Sequence, residues 1–186
     1  MNMRGKSHCR LGAYLADTYF PQIDGPCRTA FLLGCIEPDR NPATYLKGSI
    51  RAQWLRGHNY ENAKRFMLRI SRRLESKRHW SILDYYTAGK LIHYTMDAFT
   101  YAHNQSFPTD LREHKKYEDA LQEYFLTFLR NRSTMEKRPG PSVMDTISQN
   151  HRAYLSRTPD IFRDARYAFS VSCCVAGMLA CRPAAV

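Results

Sequence analysis

Between Lys90 and Glu118 the sequence twice places a histidine and a carboxylate four residues apart: His93 with Asp97, and His114 with Glu118. His103 lies between the two pairs. On an α-helix, positions i and i+4 sit one above the other on the same face, so each pair can offer an imidazole nitrogen and a carboxylate oxygen to one point. Zinc takes ligands of these types, and three protein ligands leave a coordination position open for chemistry. Two such pairs on consecutive helices predict two metal ions close together, and a multi-zinc hydrolase. The competing readings are a mutual hydrogen bond within a buried His93–Asp97 pair and a solvated His114–Glu118 pair.

The elements that must hold these residues read as helices throughout. Leu11, Tyr14, Leu15 and Tyr19 share a face over residues 8–20, and Pro21 stops that helix. His8 opens it and, taken alone, reads as a surface residue near a terminus. A short apolar helix over 29–39 is expected to end at Pro38, leaving Asp39 in irregular structure. Residues 40–57, with Pro42, Gly48 and Gly57, read as a loop. The next helix opens over 57–63, with Asn59 as N-cap and His58 just ahead, and runs to Lys77 with Phe66, Ile70 and Leu74 inward.

Trp80 to Ala102 is expected to be one buried central helix, with Gly89 allowing another backbone to approach closely. Asp110 to Glu113 resembles a capping box ahead of a helix over 111–131. Ser142 caps a helix to Ser156, and Pro159 begins the last helix, to Cys181. His79 and His151 fit no pattern and read as surface residues. No segment alternates with period two. The expectation is an all-α, single-domain bundle of about seven helices spanning 1–186.

The composition is that of a globular chain, 44% hydrophobic and 24% charged. The net charge of +11 points to anionic partners: phosphate groups, acidic lipid headgroups or nucleic acid. Much of the excess falls between Arg51 and Arg78, where a solvated helix face is the plainer reading. No secretion signal or run long enough to span a membrane is visible, which predicts a cytoplasmic protein. The six cysteines have no disulfide-framework spacing and read as reduced thiols, with Cys173–Cys174 as core packing.

The ordered set His8, Asp39, His58, His93-x3-Asp97, His103, His114-x3-Glu118 resembles the bacterial zinc-dependent phospholipase C family, which is related to the P1-type nucleases. The resemblance covers roughly residues 8–125 and implies the following assignments. His58, His93 and Asp97 would hold one zinc, and His103, His114 and Glu118 a second. Asp97 would bridge to a third position with His8, which the family completes with an N-terminal Trp; this sequence begins Met1-Asn2-Met3. Asp39 matches the family's general base or water-orienting carboxylate. The implied reaction is phosphodiester hydrolysis by a metal-activated water. The expected substrate is a phospholipid or a soluble phosphodiester, with peripheral contact to an anionic membrane surface. Arg40 would repel a choline headgroup, and Tyr45, Trp54, Tyr60 and Tyr101 are candidate cleft aromatics. A single-strand nuclease and a non-catalytic protein held together by its metal ions are the alternatives.

Overall fold

The computed structural model describes residues 5–41, 60–104, 111–131, 139–158 and 160–181. Among these residues there are seven α-helices and no strand, as the periodicity predicts. They are α1 (Gly5–Tyr19), α2 (Gly25–Arg40), α3 (Tyr60–Ser76), α4 (Ile82–Ala98), α5 (Leu111–Asn131), α6 (Val143–Leu155) and α7 (Ile161–Ala180). A single 3-10 turn, Tyr101–His103, follows α4.

Helices α4 and α7 form the interior. Every residue from Ala88 to Thr100 is buried, and most of α7 from Asp164 to Val175 is too. A helix that is apolar on all sides belongs in a core, and α4 packs against α1, α2, α3 and α7. The surrounding helices are amphipathic. On α3, Ala63, Met67, Ile70 and Leu74 face inward, whereas Lys64, Arg65, Arg69, Arg72 and Arg73 are exposed. On α5, Leu121, Phe125 and Phe128 are buried. No helix is long and apolar enough to cross a membrane among the described residues.

Helices α2 and α4 approach each other closely enough for backbone to meet backbone. A Cβ on Gly34 would lie 2.1 Å from the Tyr86 carbonyl oxygen, and one on Gly89 would lie 2.1 Å from that of Phe31. Neither distance is sterically allowed, so the two backbones touch where both helices carry glycine. This contact brings the C-terminal ends of α2 and α4 together. A second tie lies beside it. Lys90, buried in α4, meets Glu37 of α2 at 2.7 Å and stands 5.2 Å from the centre of the Tyr86 ring. Burial opposes ionisation of Glu37, but Lys90 and Asn41 hold its carboxyl below the ordinary range.

Several expected boundaries are corrected. Helix α2 does not stop at Pro38 but runs through it to Arg40, so Asp39 is helical. Beyond the proline the last turn is closed by the Asn41 N–H donating to Glu37 O at 2.9 Å, and Pro38 itself is buried. Packing on α4 outweighs the local cost of the proline. The central helix is shorter than expected: it ends at Ala98, and the chain re-forms as the 3-10 turn that carries His103. The last helix is capped by Asp160, whose carboxylate accepts from Arg163 N at 2.8 Å. The loop over 42–57, Asn59, Asp110 and Pro159 lie outside the described residues.

Gly89→Ala is expected to lower stability by about 3 kcal/mol, the upper range for overpacking, because the added methyl meets backbone rather than a movable side chain. Urea unfolding followed by circular dichroism measures this, and Gly25→Ala, where a Cβ meets nothing within 4 Å, is the control.

Candidate metal centre

Four elements converge at the C-terminal end of α4. His93 and Asp97 lie one turn apart in α4, as their spacing predicts. Asp39 comes from the last turn of α2 and His8 from the first turn of α1. His8 is not a surface residue: it continues the buried stripe of Leu11 and Leu15 and is only 8% exposed. The spacing 8, 11, 15 was the signal for this.

The carboxylate of Asp97 stands at the middle. Its oxygens lie 3.3 Å from His8 Nε2, 3.1 Å from His93 Nε2 and 3.8 Å from His103 Nε2. The Asp39 carboxylate approaches His93 Nε2 at 3.7 Å and His8 Nε2 at 4.0 Å. The His8 and His93 rings stack with centroids 4.0 Å apart. On the other side, Glu118 Oε1 meets His103 Nε2 at 3.2 Å and His114 Nε2 at 3.1 Å. Two groups therefore offer three donor atoms each within 4.8 Å of one another: His8, Asp39 and His93, and His103, His114 and Glu118. Asp97 stands between them. His58 lies outside the described residues, as do Tyr45 and Trp54. Tyr60 is buried and stacked on His151, whereas Tyr101 is half-buried.

The donor chemistry fits a divalent cation. The Nδ1 of His93 is 2.9 Å from the Cys35 carbonyl oxygen, an acceptor only, so the proton is on Nδ1. This leaves the Nε2 lone pair of the neutral ring facing Asp97, a second acceptor. Burial, together with the neighbouring His8, holds the His93 imidazole below its ordinary value against the pull of Asp97. A neutral imidazole and a carboxylate turned toward each other suit a shared positive ion, and a backbone carbonyl on the far nitrogen is the usual outer partner of a zinc-bound histidine. Burial also opposes protonation of His103, but Asp97 and Glu118 push it up to about 9. Burial would raise Glu118, but His103 and His114 hold it down to about 2. Three carboxylates, Asp39, Asp97 and Glu118, thus gather among four imidazoles in a chain of net charge +11.

Position in this centre depends on residues that the sequence reading missed. Asn104, directly after His103, donates from Nδ2 to the carbonyl oxygens of Thr100 at 2.9 Å and Ala98 at 3.3 Å. Its Oδ1 accepts from His151 Nε2 at 2.9 Å. His151 is thus not a surface residue: it is 5% exposed and stacked on Tyr60 at 3.7 Å. Its place on the buried face of α6 with Ile147 and Tyr154 was readable from the i, i+4 and i+7 spacing.

A model of the family described as zinc-dependent phospholipase C matches residues 7–161. The chain belongs to that family. No curated protein and no solved structure matches it.

Elemental analysis of protein purified without chelators is expected to find about two zinc ions per chain, and one fewer in His114→Ala. A metal content near zero that zinc incubation does not raise would sink the metal reading. Acid should also destabilise the fold through His151. Burial and the nearby Lys64 hold its imidazole down to about 4, below the unfolded value of 6.5. The penalty for charging it therefore grows as pH falls from 6.5 and is complete below about 4, on the order of 3 kcal/mol. His151→Gln, which can still donate to Asn104, should show a shallower loss of urea stability between pH 7 and pH 4.5.

Proposed function

We propose that this protein hydrolyses phosphodiesters as a zinc-dependent phospholipase C-type enzyme. The observation that carries the reading is the Asp97 carboxylate, buried and faced by imidazoles from α1, α4 and the 3-10 turn. Of the first group, His8 and His93 would hold metal together with the nearer carboxylate, Asp97, leaving the more distant Asp39 to the water, and His103, His114 and Glu118 would hold metal on the other side. Bound zinc lowers the pKa of a water molecule from 15.7 toward about 7 and so supplies a nucleophile at neutral pH.

The remaining chemistry belongs to the chain. Asp39 is 15% exposed at the rim of the first group, and its carboxylate is the candidate general base or water-orienting group. Helix α2 fixes its direction, and the α2–α4 crossing sets its distance from His93. Asp97 and Glu118 each face two or more histidines, so their charge holds the imidazole nitrogens turned inward. Arg40, next to Asp39 in sequence and exposed, adds a fixed positive charge to the last turn of α2, which suits an anionic substrate better than a cationic headgroup. The proposed substrate is accordingly an anionic phospholipid or a soluble phosphodiester, with nucleic acid the less favoured choice.

Zinc-loaded protein is expected to cleave bis(p-nitrophenyl) phosphate and to prefer phosphatidylglycerol to phosphatidylcholine vesicles. Asp39→Asn should lower kcat by about 100-fold or more while zinc content is kept. Preferential cleavage of single-stranded DNA would instead assign the chain to nuclease chemistry. No turnover of any phosphodiester by the zinc-loaded chain would overturn the enzymatic reading.

A further inference from the structure

Asp164 lies in the first turn of α7, three residues past the end of the family match, and is fully buried. Its Oδ2 accepts from the Tyr101 backbone N–H at 2.7 Å and from the Tyr117 hydroxyl at 2.8 Å. Its Oδ1 accepts from the Tyr154 hydroxyl at 2.6 Å. Two of these donors have a shared relation to the second donor group. Tyr101 stands two residues before His103, and Tyr117 directly precedes Glu118 and follows His114 by three. One carboxylate oxygen of α7 therefore holds both the 3-10 turn and α5, the two elements that bring His103 to His114 and Glu118.

The need for such a tie is physical. A three-residue 3-10 turn has too few backbone hydrogen bonds to fix its own place, and His103 must meet Glu118 across a gap between separate elements. Tyr101 and Tyr117 also meet edge to face at 5.7 Å, so their rings keep the carboxylate dry and the bonds short. A buried carboxylate is costly and is retained only where its donors are fully placed.

We propose that Asp164 is a positioning residue for the His103–His114–Glu118 group, setting the separation of the 3-10 turn from α5 so that the three donor atoms close on one ion. The inference rests on the reading of that group as a zinc site. It does not depend on which phosphodiester is cleaved.

The test compares two single-atom deletions in the full chain. Tyr117→Phe removes the bond between Asp164 and α5. Tyr154→Phe removes an equivalent bond to the same carboxylate, but from α6, which contributes no donor to either group. Zinc affinity is measured by competition with a chromophoric chelator, and the step lost in His114→Ala identifies the second site. Tyr117→Phe is expected to weaken that step by about tenfold or more, the range seen when an outer partner of a metal ligand is lost. Tyr154→Phe should leave it unchanged, although both variants unfold at lower urea than the wild type. If the two variants weaken the step equally, or neither does, Asp164 only stabilises the fold and the proposal fails. A wild-type chain that takes up no zinc overturns the metal reading, and this inference with it.

Discussion

The backbone contact between Gly34 and Gly89 is the constraint on which the rest of the structure depends. Helices whose side chains interdigitate usually keep their axes 8–10 Å apart. Here a β-carbon on either residue would overlap a carbonyl oxygen of the other helix. The approach has consequences one turn further along. It places the Cys35 carbonyl oxygen on His93 Nδ1, sets Asp39 beside His93 Nε2, and lets Lys90 reach Glu37. A wider crossing would break all three relations together, because both helices are rigid over so short a distance.

Charge is distributed unequally along α4. Its first turn carries Asp84, which accepts from Ser81 N and Oγ and meets Lys77 and Arg73, so the anion lies where the helix dipole favours it. Asp97 lies in the last turn, where the dipole opposes a negative charge, and it is only 3% exposed. Imidazoles gathered from three elements surround it. One carboxylate is tied to cations at the surface; the other is buried among imidazoles at the end of the helix where the dipole opposes its charge. The polar end of α4 is therefore maintained by its neighbours, and the apolar stretch between the two carboxylates anchors both.

The i, i+4 pairs were legible in the sequence because helix periodicity alone puts His93 over Asp97 and His114 over Glu118. The all-α class and the order of the helices were legible for the same reason. What a one-dimensional pattern does not carry is which faces meet. Pro38 reads locally as a stop, yet packing on α4 carries α2 through it and makes Asp39 helical. Ala98 to Ala102 continues the apolar composition of α4, so nothing in residue type marked the break before His103. His8 and His151 could have been recovered from their buried-stripe spacing. Asp164 could not: its three donors lie 10, 47 and 63 residues away. The family match itself adds identity, but of the residues that hold the centre in place it reaches only those before Asp164.

The position of α7 bears on how the protein can be handled. The family match stops at Ile161, where α7 begins, yet α7 supplies Phe169, Val171, Val175 and Leu179 to the interior and packs along α4. A recombinant fragment trimmed to the match would open one flank of α4 to water and expose a broad apolar surface. Such surfaces drive aggregation more readily than they drive alternative folding. The cooperative unit is thus longer than the segment by which the family is recognised, and truncation libraries or fusion partners should be joined beyond Ala180.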